Sequence, residues 1–269
     1  MLAEHGENAK ILAGGQSLMP VLNSRLGRYD YIIDINSIKE LSFIRTDAEW
    51  LHIGAMTRQR AIESSDLVVR HAPLLGEVTR HIAHLPIRTR ATIGGSISHA
   101  DPSAEDPAAM LVLDAEFELV SSGGHRTVKA GDFFLGPLHT VLSPQELLVG
   151  IRIPKQGVET TFAFEEVSRR RGDFALIGIA AVLAWKGERV VKARIAICGL
   201  DSGATRLEAA ERELENVQPS DAVVMNAARA AANSIEPHED LHASSEYRRH
   251  LVEVITQRVL AHALQRSTG

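Results

Sequence analysis

Two glycine pairs constrain this chain more than any other feature. The first stands in Leu12-Ala13-Gly14-Gly15-Gln16-Ser17-Leu18, where a short apolar run meets a Gly-Gly turn and a predicted helix beginning near Ser17. The second stands in Thr92-Ile93-Gly94-Gly95-Ser96-Ile97-Ser98-His99-Ala100-Asp101-Pro102, which has no helical periodicity and reads as a tight loop. Glycine reaches positive φ and allows close backbone approach, so the N–H groups of such a pair can converge on an anion. A helix starting at Ser17 adds its own N-terminal donors. Together the two could wrap a pyrophosphate, although either alone also reads as a tight connection. Neither fits G-x-G-x-x-G or G-x-x-x-x-G-K-[ST], so neither a Rossmann site nor a P-loop is supported.

Around these pairs the pattern divides near residues 154–160. Before it, Lys10–Ala13, Tyr31–Asp34 and Trp50–Ala55 read as short strands bounded by Gly, Asn or Asp. Thr57 is a predicted N-cap for a helix through Glu63, and Leu74–Ala83 has helical spacing. Ser121-Ser122-Gly123-Gly124 is a hairpin signal between Phe117–Val120 and Thr127–Val128. Leu147–Ile153 is a strand that ends at Pro154. After it come β-like runs at Thr160–Val167, Leu176–Trp185 and Val190–Cys198. Helical stretches follow at Ala204–Glu215, Ser220–Ser234 and Ser245–Gln265. Strands followed by helices predict an α+β arrangement.

The 269 residues, 45% hydrophobic and 23% charged, suit a globular chain with a sizeable core. A formal net charge of -5 argues against a nucleic-acid protein. The single cysteine, Cys198, excludes a disulfide scaffold and any iron–sulfur cluster ligated by this chain alone. The longest uncharged apolar-rich run, Phe174–Trp185, is shorter than the roughly 18 to 20 residues of a membrane span. MLAEHGENAK has no basic region before an apolar core, so the expected location is the cytoplasm.

The strings AGGQSLMP (13–20), IGAMT (53–57) and TIGGSISHADPSAEDPAAM (92–110) resemble the FAD-binding middle subunit of molybdenum hydroxylases. DFFLGP (132–137), ELLVGIRIP (146–154), RRRGDFALIG (169–178) and EYRRHL (246–251) continue the match in order. This is the family of the carbon monoxide dehydrogenase medium subunit and the xanthine dehydrogenase flavin domain. The resemblance implies a PCMH-type, vanillyl-alcohol-oxidase-like FAD-binding domain over residues 1–156, with subdomains of about 1–55 and 56–156. A small α+β domain with a three-stranded antiparallel sheet and helices then covers 157–269. It implies noncovalent FAD, its pyrophosphate held by Ala13, Gly14, Gly15, Gln16, Ser17 and Leu18 and by Thr92, Ile93, Gly94, Gly95 and Ser96. Glu105, one methylene longer than the usual Asp, falls on the position that binds the ribityl chain, and Ile82 and Leu148 on positions lining the flavin. Leu85-Pro86 and Ala91 replace a common Pro-Gln and Gly. Phe164 stands where some members have a tyrosine, so a phenol-dependent role there is not expected.

The resemblance further implies that molybdenum cofactor and [2Fe-2S] clusters reside in a large and a small partner subunit, assembled as a dimer of heterotrimers. The chain enters at the last turn of the family's first helix, which leaves open an upstream start codon or a trimmed first subdomain. The implied function is electron transfer from the clusters through FAD to NAD⁺, a quinone or oxygen, with no side chain acting as a catalytic residue. A stand-alone flavin reductase or oxidase of the same fold, or a nucleotide-binding scaffold, remain the alternatives.

Three further patterns look functional. His238-Glu239-Asp240-Leu241-His242 fits the H-E-x-x-H zinc pattern, but Pro237 precedes it and a helix is predicted only after Ser244, so a surface loop is expected and no metal. Ser96, Ser98, His99 and Asp101 have hydrolase residue types, yet neighbours in one loop rarely converge as a triad. Their hydroxyls are read instead as donors to a flavin or its phosphates. Arg169-Arg170-Arg171 reads as a solvated turn, which the resemblance places near the flavin's exposed edge, and Cys198 reads as an inert core thiol.

Overall fold

The computed structural model describes residues 1–266. After a short helix α1 (Leu2–His5), β1 (Ala9–Leu12) runs through the first glycine pair into α2 (Leu18–Asn23) and returns as β2 (Tyr31–Asp34), parallel to β1. β3 (Ile44–Thr46) and β4 (Trp50–Gly54) form a hairpin. Helices α3 (Gln59–Glu63), α4 (Asp66–His71), α5 (Pro73–Thr79), α6 (Leu85–Arg88), α7 (Ile93–His99) and α8 (Glu105–Val112) follow. Next come β5 (Glu116–Ser121), β6 (Gly124–Lys129), α9 (Ala130–Phe133), β7 (Phe134–Gly136), β8 (His139–Thr140) and β9 (Leu147–Pro154). The five-stranded sheet has the order β3-β4-β9-β5-β6. β3 and β4 fall before residue 55, yet they pair into this sheet through β9, so strand pairing changes near Ser42.

The remainder is β10 (Thr160–Ser168), β11 (Ala175–Lys186), β12 (Arg189–Cys198), β13 (Thr205–Arg206), α10 (Glu208–Leu214), α11 (Asp221–Asn233) and α12 (Ser245–Gln265). The three long antiparallel strands match the expected sheet, and the two-residue β13 adds a fourth at its edge. Thr205–Arg206 had the spacing of a helix start; pairing with Ala196 and Ile197 makes it a strand instead.

β11 reads as an almost unbroken apolar run because both of its faces are buried. Ile177, Ile179, Ala181 and Leu183 pack with α10–α12, whereas Ala180 and Val182 join the core of the first domain. Phe164, Ala196 and Cys198 face that same core, so the C-terminal sheet is a shared wall.

Several local expectations shift for identifiable reasons. Thr57 does not cap α3: its hydroxyl donates to the Phe43 carbonyl, and Arg58 holds the N-cap position. The helix from Leu74 stops at Thr79, and Ala83 adopts φ 44°. The second glycine motif, expected as a loop, is helix α7, capped by Thr92 Oγ1, which accepts from Gly95 N–H at 3.2 Å.

Candidate functional site

Three chain segments far apart in sequence converge between β1 and the five-stranded sheet. Gly15 has φ 75°, a left-handed conformation that suits glycine. Gly14 packs against backbone: a Cβ there would stand 2.8 Å from the Ala91 Cα and closer still to the Arg90 carbonyl oxygen. The N–H groups of Gly14, Gly15, Gln16 and Ser17 meet no acceptor among the described residues. They are donors in a glycine turn ahead of a helix, the arrangement that binds anions.

The second motif is held by IGAMT. Ile93 N–H donates to the Thr57 carbonyl at 3.1 Å and Gly94 N–H to the Ala55 carbonyl at 2.9 Å. A Cβ on Gly94 would lie 2.6 Å from the Ala55 oxygen, so only glycine fits there. One on Gly95 would lie 3.6 Å from the Ala13 Cβ, which brings the two glycine motifs into contact.

A polar clamp that the sequence reading missed fixes this junction. Asn36 Nδ2 donates to the Ala13 carbonyl at 2.8 Å, and Asn36 Oδ1 accepts from Arg58 Nη2 at 2.7 Å. Arg58 Nη1 in turn donates to the Arg90 carbonyl. The signal available was Asp34-Ile35-Asn36 directly after a strand, where Asp34 Oδ1 accepts from the Asn36 N–H in a local turn.

Two buried acids open α8 beside the second motif. Glu105, the first residue of α8, is 6% exposed; burial, and then the charge of Glu166, push its carboxyl well above the usual range. Asp106 is fully buried, and burial raises it to about 6 against hydrogen bonds from Ser96 and Gln59. Gln59 Nε2 donates to Asp106 Oδ2 at 2.5 Å, so Ser96 of the second motif, α3 and α8 are tied together. Gln59 and Asp106 were not singled out from sequence, although Glu105-Asp106 is a pair of acids opening an otherwise apolar helix.

Ile82 is half-buried, its carbonyl accepting from Arg88 Nη1 at 2.9 Å. Two residues on, the His84 ring fills the space beside Gly172 (φ 82°), so the arginine loop of the C-terminal domain sits on this segment. Leu148 lies in the core opposite Leu119, one residue before Val149, whose carbonyl accepts the Ala55 N–H. The structure therefore brings 13–18 and 92–96 together, places Glu105 next to Asp106 at the second motif, sets Ile82 at the seam with the second domain, and keeps Leu148 in the core.

The other patterns stay apart from this cleft or serve structure. His238 lies 3.6 Å from carboxylate oxygens of Asp201 and Asp240, and Leu241 beside it is fully exposed. Among the described residues no group of three or more His, Cys, Asp or Glu is placed to hold a metal ion. Ser96 bonds Asp106, and burial lowers the basicity of His99. Arg169 and Arg170 pair with Asp173 in an exposed turn. Cys198 is buried, its thiol pushed up by burial and by Glu105 and Glu166.

No helix among the described residues is long and apolar enough to cross a membrane. Residues 1–156 match the family described as the FAD binding domain in molybdopterin dehydrogenase, and residues 162–263 the CO dehydrogenase flavoprotein C-terminal domain. The 6-hydroxypseudooxynicotine dehydrogenase complex subunit alpha of Paenarthrobacter nicotinovorans is 37% identical over 99% of this chain and 90% of its own length. The carbon monoxide dehydrogenase medium chain of Hydrogenophaga pseudoflava is 37% identical over 97% of this chain and 91% of its own. The solved carbon monoxide dehydrogenase from that organism superposes with a TM-score of 0.96 at 39% identity, covering 98% of this chain and 92% of that one. Quinoline 2-oxidoreductase from Pseudomonas putida 86 gives 0.94 at 37% identity, covering 100% and 93%.

Proposed function

The chain belongs to the family of FAD-binding subunits of molybdopterin dehydrogenases, and from that premise we propose how its residues hold FAD and what it assembles with. It is an oxidoreductase subunit of a multi-subunit dehydrogenase. The relatives lend no support to a stand-alone reductase or a scaffold. The observation that carries the binding reading is the contact of the two glycine motifs, which puts a row of N–H donors beside backbone that tolerates no side chain.

The residues fit such a group. Ala13, Gly14, Gly15, Gln16, Ser17 and Leu18 on one side, and Thr92, Ile93, Gly94, Gly95 and Ser96 on the other, would grip the pyrophosphate. Glu105 would accept from a ribityl hydroxyl, and Ile82 and Leu148 would shape the apolar part of the site. Bound FAD supplies the exchange between one-electron and two-electron transfer; the chain binds, orients and tunes it, with no side chain acting as a catalytic base. Asn36 and Arg58 keep the two motifs in register, and the Gln59–Asp106–Ser96 contacts hold α7 against α8.

In this reading residues 1–156 form the FAD-binding domain and 157–269 the second domain, in a cytoplasmic complex. Cys198, alone and buried, cannot ligate an iron–sulfur cluster, so electrons come from a small [2Fe-2S] subunit fed by a large molybdopterin-binding subunit. A dimer of such heterotrimers is the expected assembly. The test is reduction of the isolated, FAD-loaded chain. Dithionite should bleach the flavin band and the substrate of the whole complex should not, until both other subunits are added. Bleaching by that substrate in the isolated chain would overturn the reading.

A further inference from the structure

An open cleft of about 360 Å³ adjoins the clamp between the two glycine motifs, lined by Asn36, Ile38, Lys39, Ser42, Met56 and Arg58. Two of these residues are cations and none is an acid. Lys39 and Ser42 lie on one tight turn. In it the N–H of Ile38 donates to the Ile35 carbonyl at 3.2 Å, that of Leu41 to Ile38 at 3.2 Å and that of Ser42 to Lys39 at 3.0 Å. Met56, just past β4, donates from its N–H to the Leu41 carbonyl at 2.8 Å. Backbone bonds thus fix the turn that carries Lys39 and Ser42 against the segment that carries Met56 and Arg58.

The polar groups of the cleft have capacity left over. Lys39 has no ion pair or hydrogen bond, and the Ser42 hydroxyl has no partner, among the described residues. Arg58 gives one N–H to Asn36 Oδ1 and one to the Arg90 carbonyl, and a guanidinium has five. Asp34, the acid that acts on Arg58, instead accepts from the N–H and Nδ2 of Asn36 at 2.9 and 2.6 Å. Burial, and then the charge of Arg90, oppose the charge on Arg58. Two cations without a carboxylate partner, in a cleft without an acid, are matched by an anion from outside. Together they suit the two negative charges of a phosphate monoester better than the single charge of a carboxylate. Met56, 4% exposed, and Ile38, 38% exposed, add apolar surface beside them.

We propose that this cleft binds a compact phosphate monoester with an apolar body, and that its occupation tightens the clamp on FAD. The site stands on the cleft itself; its effect on FAD rests on the reading that the glycine motifs hold that cofactor. Asn36 donates to the Ala13 carbonyl and Arg58 to the Arg90 carbonyl, so the clamp reaches both sides of the Gly14–Ala91 contact. A phosphate on Lys39 and Arg58 offsets the repulsion from Arg90 and takes N–H groups that the clamp does not use. The guanidinium is then held more firmly, and the motifs part less readily to release FAD. No covalent bond forms or breaks, so the ester is an effector and not a substrate.

Phenyl phosphate is the probe, titrated by calorimetry into the FAD-loaded full chain, where the glycine-turn donors are already filled. One site is expected, with benzoate at least about tenfold weaker and with Lys39→Gln weakening phenyl phosphate by about tenfold or more. No binding, unchanged binding in Lys39→Gln, or benzoate equal to phenyl phosphate would overturn the site or its ligand class. Binding found only in the FAD-free chain would mean that FAD fills the cleft, and would also overturn a separate site. Release of FAD on dilution, followed by flavin fluorescence, should slow by about fivefold or more with saturating phenyl phosphate, against chloride at equal ionic strength. Lys39→Gln should show no such slowing. An unchanged rate in a chain that binds the ester would overturn the coupling while sparing the site. A chain that takes up no FAD would overturn the function proposed above instead. That failure is recognised at loading, and the comparison with Lys39→Gln still reads the cleft in the FAD-free chain.

Discussion

Gly14 lies directly on the backbone of Ala91, so a methyl group built on Gly14 would stand 2.8 Å from the Ala91 Cα. Backbone cannot move aside as a flexible side chain can, and Arg58 and Asn36 brace both sides of the contact. Gly14→Ala should therefore part the two motifs. The expected result is loss of most bound FAD and a stability loss of about 1–3 kcal/mol, typical of overpacking. Gly131→Ala, at a position with open space around it, is the control and should retain full flavin. Equal FAD content in the two purified variants, measured by absorbance after denaturation, would refute the role given to this contact.

Gly15 and Gly95 test the grip itself. Gly15→Val puts a β-branched residue at φ 75°, a strain of about 1–3 kcal/mol. Gly95→Val places a side chain 2.8 Å from Thr92 Oγ1, the oxygen that caps α7. Both should lower FAD affinity by at least about tenfold, or 1.4 kcal/mol, while circular dichroism stays native. Fluorescence titration with FAD measures it, and wild-type affinity in both variants would refute the pyrophosphate assignment.

The glycine motifs were legible in the sequence because glycine pairs at turns are local signals. The long strands were legible because β11 and β12 are apolar over lengths that strands favour. Helix α7 was not, since Ile93-Gly94-Gly95-Ser96-Ile97-Ser98-His99 lacks an amphipathic period. Its first turn is fixed by tertiary bonds to Ala55 and Thr57 and by the Thr92 cap. Thr57 misled for the same reason, its hydroxyl being spent on Phe43. Glu105 was legible only through the family resemblance, and Asp106 beside it was passed over although the two acids open an otherwise apolar helix. That Asp106 is buried against Gln59 depends on α8 docking on α3, which no local pattern encodes.

Asp106 makes stability depend on pH in a defined direction. Its folded pKa is raised to about 6 from an ordinary 3.8, so the folded state holds its proton more tightly than the unfolded state. Stability is fully present at pH values below the ordinary carboxylate range and declines as pH rises through about 6, by about 3 kcal/mol in all. Asp106→Asn removes that loss and gives Gln59 Oε1, buried without a partner, an N–H to accept. Urea unfolding at acidic and mildly alkaline pH should show the variant gaining on wild type as pH rises. A difference between the two chains that does not change with pH would refute this account.

His238→Ala combined with His242→Ala should leave flavin content, electron transfer and stability nearly unchanged. His238 is partly buried, but it reaches Asp201 and Asp240 only at 3.6 Å and makes no hydrogen bond through Nδ1, so these contacts are worth about 0–1 kcal/mol. Elemental analysis of the purified wild-type chain should find no stoichiometric zinc, and one tightly held zinc per chain would reverse the assignment of this segment as a loop.

Asp240, in the middle of that segment, has a different role through Arg248. Arg248 is 3% exposed and donates from Nη1 to the carbonyls of Leu176 at 2.7 Å and Gly199 at 3.1 Å, and from Nη2 to Asp240 at 2.8 Å. It therefore ties α12 to the start of β11, to the turn after β12 and to the loop before α12. Truncation leaves two carbonyls and a carboxylate without their donor, a loss of about 3–5 kcal/mol. Because the opposite face of β11 belongs to the core of the first domain, the damage should spread beyond the C-terminal helices. Arg248→Ala should lower the unfolding midpoint in one cooperative transition, with FAD released at the same denaturant concentration. His250→Ala, at an exposed position on the same helix, should not shift it. Separate transitions for flavin release and helix loss would mean that the shared wall does not couple the two halves.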